Sequence, residues 1–398
     1  MAFDATTTAA DVAEKIDSFG AELESLAPQN EKLSRLSPRT AEILREAGVM
    51  RILQPRSHGG LEGTPEEFLT AVIATARRDP AAGWVAGVVG VHPWEVALMG
   101  QQTVEDVWGV NQDTWVASPY NPSGIAEPVE GGYILSGHWQ FSSGTDHSDW
   151  VFLGAVVGNG QGAPAMPPRV LHVLVPRKDY QIIEDSWDVI GLLGTGSRDV
   201  VVQGAFIPTH HTLAYDDVAS GKAAEGLENP IYQLPFSTIF PVGITGAIIG
   251  MAEGALVAHA AYQRDRVSAA GGKIRDDAYA AYFTGEAGAE IHASRLQLFD
   301  GINWAYDHVM SGKTLTFADR ARIRRNQVRC AWRAVGAIDQ IYARSGGNAS
   351  RVGNPIQRIW RDAHVGLNHF IHVPGPTYHA QALTEYDVEV PFALQMGI

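Results

Sequence analysis

Trp139-Gln140-Phe141-Ser142-Ser143-Gly144 sets two large aromatics and two hydroxyls beside a glycine. A flat heteroaromatic cofactor needs such parts: an apolar wall, and short polar groups aimed at ring heteroatoms. A strand ending in a turn uses the same residues for packing alone, and composition by itself favours the strand. Gly191-Leu192-Leu193-Gly194-Thr195-Gly196-Ser197 is the second candidate. Its spacing is not G-x-G-x-x-G and no lysine follows as in a P-loop, so it carries no nucleotide fingerprint. It reads as a β-turn cluster whose amides approach a ring or a phosphate.

The 14 histidines include no H-E-x-x-H pair, and His364 and His369, five apart, do not share a helical face, so no metal site is expected. His210-His211 follows Pro208 and reads as a solvated turn. His92 interrupts an apolar stretch and reads, taken alone, as a satisfied core histidine. Arg264 and Arg266 end a long apolar helix, where cations suit the helix dipole. Arg322, Arg324, Arg325 and Arg329 read as a charged helix face, solvated or at a subunit contact.

The elements that must position these groups fall into three stretches. Up to about Val110 the chain reads as helices. Ser37-Pro38 is an N-cap with proline at the first helical position, ended by Gly48, and Thr64-Pro65-Glu66-Glu67 is a capping box. From about Asp113 short β-rich runs alternate with Gly/Pro-rich loops, and Glu130-Gly131-Gly132 makes a hairpin turn. Regular short strands predict an antiparallel barrel or sandwich rather than βαβ units. From Ile244 long helices are expected at Ile244–Val267, Asp276–Met310, Phe317–Ser345 and Pro355–His372, an up-and-down bundle.

Over 398 residues, 30 basic against 44 acidic side chains leave a net charge of −14, a poor match to a phosphate backbone, so nucleic acid is set aside. The single cysteine, Cys330, excludes a disulfide framework, a cysteine zinc site and an iron–sulfur cluster, and fits a reducing compartment, the cytoplasm. The N-terminus lacks a basic region followed by an apolar run. Residues 229–252 carry no charge but hold three prolines and three glycines, so they read as a buried loop leading into a core helix, not a membrane span.

The order and spacing of several pieces resemble the acyl-CoA dehydrogenase fold. These are the hairpin from Val129 to Trp139, Leu193 to Ser197, Tyr262-Gln263-Arg264-Asp265-Arg266, Ser345-Gly346-Gly347 and Trp360-Arg361-Asp362-Ala363. The resemblance implies a mostly α, α+β protein: an N-terminal helical domain (1–112), a central antiparallel β-barrel (113–228) and a C-terminal four-helix bundle (229–398). An acyl-CoA dehydrogenase, oxidising an acyl thioester, is the alternative reading. Such enzymes often place a glutamate base after the Arg-Asp-Ala, and here Phe370 stands roughly in its place.

Gly90-Val91-His92-Pro93-Trp94, Trp139 to Gly144 with Asp146-His147, and Ile356 to His364 resemble more closely the oxygenase components of two-component flavin-dependent aromatic hydroxylases. These are of the type of 4-hydroxyphenylacetate 3-hydroxylase and the secosteroid phenol hydroxylase. The resemblance implies ortho-hydroxylation of a phenol by O2 and diffusible reduced FMN or FAD, through a flavin C4a-hydroperoxide. It places the phenol base at His92, the group orienting the hydroxyl at Ser118, the flavin N5 contact at Ser143 and the peroxide contact at His369. Trp139, Ser142, Gly194, Thr195, Gly196 and Ser197 would line the flavin, and Arg266 would hold its phosphate. No NAD(P)H fingerprint is present, so a separate NAD(P)H-dependent flavin reductase is implied, with a homotetramer as the assembly.

Overall fold

The computed structural model describes residues 3–4, 6–395 and 397–398. Seven helices come first: α1 (Asp11–Ser18), α2 (Gly20–Leu33), α3 (Pro38–Ala47), α4 (Pro65–Arg78), α5 (Pro80–Val89), α6 (His92–Leu98) and α7 (Gln101–Trp108). Their ends lie where the caps put them. The Ser37 hydroxyl accepts from Thr40 N–H, Gly48 closes α3 at φ 84°, and Thr64 and Glu67 form the reciprocal capping box of α4. Asp79 caps α5 by accepting from the Ala81 and Ala82 amides.

Eight strands follow: β1 (Val116–Ala117), β2 (Gly124–Val129), β3 (Gly132–Ser142), β4 (Trp150–Val157), β5 (Val170–Pro176), β6 (Gln181–Ile183), β7 (Arg198–Pro208) and β8 (Thr212–Ala214). They form one sheet in the order β6-β7-β3-β2-β4-β5-β8, with β1 beside β4. The path stays open between β6 and β8 among the described residues, so the pairing is a sheet and not a closed ring. Nor is it wholly antiparallel: β4 runs parallel to both β1 and β2. No helix crosses between β2 and β4; the chain returns through β3 and the short turn at Thr145–His147.

After a short helix α8 (Tyr215–Ala219) come α9 (Phe236–Asp265), α10 (Ala278–Met310), α11 (Phe317–Arg344), α12 (Pro355–Leu367), α13 (Pro374–Glu385) and α14 (Phe392–Gln395). Two boundaries of the long helices differ from expectation by more than two residues. α9 starts at Phe236, not Ile244, with Pro241 inside its first turns. Its glycines allow backbone contact that fixes this segment: a Cβ on Gly243 would lie 2.5 Å from the Gly87 carbonyl oxygen of α5. α12 stops at Leu367, because His369 turns the chain and its own ring caps the next short turn.

α9 packs against α4 and α5 as well as α10, α11 and α12, so the first and last helical stretches share one apolar core. It is long and apolar enough to cross a membrane, yet 89% of its most apolar window is buried inside the protein. The sheet has a separate core around Trp139, Leu153, Val173 and Val200.

Candidate active site

β3 ends at Ser142, and Gly144, at φ 73°, turns the chain back so that its amide bonds Thr195 O at 2.9 Å. This brings the two motifs together. Ser143 Oγ lies 2.7 Å from Ser197 Oγ, which lies 2.6 Å from Thr195 Oγ1, which donates to Leu192 O at 2.8 Å. The ladder has one polarity. Thr195 spends its proton on Leu192, so Ser197 donates to Thr195 and Ser143 donates to Ser197. The Trp84 indole N–H also points at Ser143 Oγ, at 3.3 Å. Ser143 therefore meets any further partner as an acceptor.

The glycine loop is shaped for packing. A Cβ on Gly194 would stand 2.9 Å from Ala81 Cβ, and one on Gly191 2.4 Å from Arg361 O. The Thr195 and Gly196 amides bond back to Leu192 and Leu193 carbonyls, so they are spent inside the loop and not offered to a phosphate. The Trp360-Arg361-Asp362-Ala363 motif holds the loop from α12. Asp362 accepts from Leu192 N–H at 2.6 Å, and Arg361 bonds Ile190 O and Glu31. Burial pushes the Asp362 carboxyl up to about 7, against the pull of the Leu192 amide and of Arg358 and Arg361.

Ser142 Oγ is buried without a hydrogen-bond partner beside this ladder's end of β3. Trp139 does not join it. Its indole is interior to the sheet, donates to Gly154 O at 2.7 Å and covers Gly124 and Gly137. An irregularity in the β3–β7 register between Trp139 and Ser142 breaks the alternation that would have put Ser143, four residues on, on the face of Trp139. The aromatic wall at Ser143 is Trp84, a residue of α5. Arg266 is not brought here either. Its guanidinium bonds the Arg344 and Ser345 carbonyls at the end of α11, and it lies beyond the C-terminus of α9. From Gly243, where α9 touches α5, that is about 33 Å of helix.

His92 opens α6 and is fully buried. Its Nδ1 bonds Val116 O at the start of β1; a carbonyl only accepts, so Nδ1 carries the proton and Nε2 the lone pair. Nε2 is buried and unpartnered. Burial pulls this imidazole down to about 4, so it is neutral at pH 7. Tyr120, Phe152 and Phe240 surround the ring, at centroid separations of 5.6, 5.9 and 6.5 Å. Ser118 is buried two residues beyond Val116.

His369 has the opposite tautomer. Its Nδ1 accepts from Ile371 N–H at 3.3 Å, and burial, with Arg324 nearby, lowers it to about 4, so the neutral ring carries its proton on Nε2. Its imidazole meets the Trp84 ring edge-on at 5.8 Å. Trp84 thus touches both Ser143 and His369. Arg324, expected on a solvated face, is instead buried and donates to Ile371 O at 2.6 Å and to Gly397 O, pinning the His369 segment to α11. Phe370 is largely exposed.

Three features escaped the sequence. Trp84 lay in an apolar run with nothing to single it out. Glu95, Tyr120 and His172 join in a buried cluster from α6, the segment after β1, and β5, separated in sequence. His210 and His211 are not simply solvated: both Nε2 atoms reach Asp106 Oδ2, at 3.0 and 2.9 Å.

Residues 242–374 match the family model described as acyl-CoA dehydrogenase, C-terminal domain. The chain is 46% identical over 376 residues to the pigment production hydroxylase of Rhodococcus erythropolis, covering 94% of this chain and 96% of that protein. It is 39% identical over 383 residues to the oxygenase subunit HsaA of a flavin-dependent monooxygenase from Rhodococcus jostii (strain RHA1), covering 95% and 98%. The crystal structure of the 3-HSA hydroxylase from Rhodococcus sp. RHA1 superposes with a TM-score of 0.90 at 36% identity, over 96% of this chain and 99% of that one.

Proposed function

The chain belongs to the family of flavin-dependent monooxygenase oxygenase components built on the acyl-CoA dehydrogenase fold, and from that premise we propose the roles of its site residues. It is an aromatic hydroxylase that takes reduced flavin and O2 and works beside a partner component. The substrate is a phenol or similarly electron-rich aromatic, hydroxylated ortho to its oxygen. The partner is an NAD(P)H-dependent flavin reductase. The same reading divides the chain at 112/113 and 228/229 into a helical unit, the open sheet and a four-helix unit. It also assembles them as a cytoplasmic homotetramer.

One observation carries the flavin reading: the polarity of the hydroxyl ladder. Reduced flavin bears a hydrogen at N5 and oxidised flavin a lone pair. Ser143, whose proton is committed to Ser197, suits the reduced ring. The orphaned Ser142 Oγ supplies a second polar contact, and the Trp84 indole an apolar wall. These residues fit a flat isoalloxazine better than a phosphate. When bound, flavin would supply the two electrons that activate O2, one atom of which is transferred to the substrate.

The protein does the rest. His369, whose ring meets the same indole, offers an Nε2–H as a donor for the oxygen that reacts. His92 offers the complementary group, a buried lone pair on Nε2, and accepts the phenol proton as negative charge develops on the substrate oxygen. Ser118 orients that hydroxyl. Phe152, Phe236 and Phe240 hold the substrate ring and exclude water. Arg266 reaches a flavin phosphate only through another copy of the chain.

Anaerobic titration with reduced and oxidised flavin, followed by an oxygen-pulse assay with simple phenols, tests this. Tighter binding of the reduced form and a catechol product are expected. Equal affinity for both forms, or a tightly held oxidised flavin reduced by an acyl thioester, would sink it.

A further inference from the structure

Glu95 is buried to 1% exposure, in the aromatic wall beside His92, and no step above uses it. α6 places the two residues three apart, so their side chains are neighbours on one face, with about 5–6 Å between Cβ atoms. The carboxylate is held from two other elements. Tyr120 donates its hydroxyl to Oε2, and His172 of β5 bonds Oε1 through Nδ1. Tyr120 also meets the His92 ring edge-on at 5.6 Å, and His172 lies 4.5 Å from Tyr120. Tyr215 of α8 lies 5.7 Å from His172. The remaining neighbours are Phe152 of β4 and Phe236 and Phe240 of α9, which carry no charge. Among the described residues, the titratable groups facing Glu95 are thus His92, Tyr120 and His172, with Tyr215 behind.

We propose that Glu95 is a positioning residue for proton transfer at His92: its carboxylate, fixed by Tyr120 and His172, stabilises the positive charge His92 acquires when it takes the phenol proton. This rests on His92 being the phenol base. A tie between α6 and β5 alone is an insufficient account of Glu95, because a neutral amide makes such a tie without the several kcal/mol of burying a carboxylate. A buried negative charge acts on the imidazole through a medium that screens weakly. The transfer moves one proton from the phenol oxygen to His92 Nε2 and leaves the bonding pair on oxygen; Glu95 exchanges nothing. His92 stands between Glu95 and the substrate oxygen, so attraction to the imidazolium outweighs repulsion of the phenolate.

The probe is 2,4-dinitrophenol, a phenol acidic enough to exchange its proton with His92 and coloured as the anion, bound without flavin and followed by absorbance. Transfer to His92 leaves the net charge unchanged, so it shows as a pH-independent phenolate fraction on the acid side of the probe's release of its proton to solvent. In Glu95→Gln the transfer constant should fall about tenfold or more, the usual effect of losing an opposite charge within about 4–6 Å. Glu95→Asp should restore part of that fraction. An unchanged or larger phenolate fraction overturns the proposal, since a charge acting only by repelling phenolate gives that sign. Should Glu95→Gln fail to fold, Tyr120→Phe decides: it removes one donor from the carboxylate, and the phenolate fraction should rise. An unchanged or smaller fraction there overturns it equally. His92→Ala separates this from the parent reading. If the acid-side phenolate fraction persists when His92 is gone, the base assignment itself has failed. If His92→Ala removes it and Glu95→Gln does not, only Glu95 is removed.

Discussion

The Trp84 indole N–H donates to Ser143 Oγ at 3.3 Å, joining α5 to the end of β3 across 59 residues of sequence. The same ring abuts His369, contributed from beyond α12. One rigid side chain therefore sets the position of a hydroxyl and an imidazole from the middle and the end of the chain. Gly366 permits the approach, since a Cβ there would come within 2.7 Å of the indole. The three elements that meet at Trp84 are held by independent devices: the Asp79 cap on α5, the Gly144 turn after β3, and Arg324 on the His369 segment.

The hydroxyl ladder makes a redox prediction. Ser197→Ala frees the Ser143 proton, which can then be donated to the N5 lone pair of oxidised flavin. A hydrogen bond of this kind is worth about 0.5–1.5 kcal/mol, a several-fold to roughly tenfold effect. The ratio of oxidised to reduced flavin dissociation constants should fall by that factor. Anaerobic titrations of both forms measure it, and an unchanged or larger ratio would remove the ladder from flavin discrimination.

Asp362 gives stability a pH dependence of unusual sign. Its buried carboxyl titrates at about 7, while an unfolded aspartate titrates at about 3.9. Between those values the folded protein holds a proton that the unfolded chain has released. Stability therefore decreases as pH rises from about 4 to about 7, and levels off above. Asp362→Asn keeps an acceptor for the Leu192 amide and removes the titration. Asp79, also raised by burial, repels the Asp362 carboxylate, so its own titration eases in the variant and adds to the same trend. Urea unfolding across this range should show the variant gaining on the wild type as pH rises; parallel curves would mean the Asp362 carboxyl is ionised throughout.

Arg324 is buried yet keeps hydrogen bonds to Gln327 Oε1 and the carbonyls of Ile371 and Gly397, and burial lowers it only to about 10. Arg324→Met retains the apolar stem and strands those acceptors. A loss of about 2–4 kcal/mol is expected from unpaired buried groups. The segment carrying His369 loosens with it, so peroxide release per flavin oxidised should rise. Arg324→Lys should recover part of the stability. A melting temperature within error of wild type for Arg324→Met would return Arg324 to the solvated face its spacing suggested.

Local signals were legible where one residue and its neighbours decide the outcome. Ser37, Thr64 and Gly48 mark helix ends because caps act within four residues, and Gly131 marks the β2–β3 turn for the same reason. The resemblance named His92, Ser143, Ser197 and His369, and the fold brings Ser143 to Ser197, and Ser143 and His369 to Trp84. What failed depended on packing between distant segments. Arg324 sits in a row of arginines on α11, and only the return of residues 371 and 397 makes its position interior. Trp139 follows strand alternation until a register irregularity after it breaks the period that would have kept Ser143 on its face. Glu95, Tyr120 and His172 come from three elements, so no spacing along the chain announces them.

The role proposed for His92 separates hydroxylation from oxygen activation. Its Nδ1–H is fixed on Val116 O, its Nε2 is buried without a partner, and its ring is neutral above about pH 4. In the proposed role of phenol base it acts on the substrate and not on the flavin, so His92→Ala should bind and oxidise reduced flavin as the wild type does. Oxygen transfer to the phenol should slow by roughly 10²–10⁴, the usual contribution of a positioned acid or base. Flavin oxidation then proceeds to hydrogen peroxide, and product per reduced flavin consumed collapses. A histidine serving only the core predicts otherwise: alanine would open a cavity among Tyr120, Phe152 and Phe240, lower the melting temperature and weaken flavin binding together with catalysis. His92→Gln retains a buried polar group near the same volume without a titratable base, and should be uncoupled while melting close to the wild type. Product yield, peroxide and melting temperature measured on both variants distinguish the two accounts, and a His92→Gln enzyme that folds and stays fully coupled would end the assignment of His92 as the base.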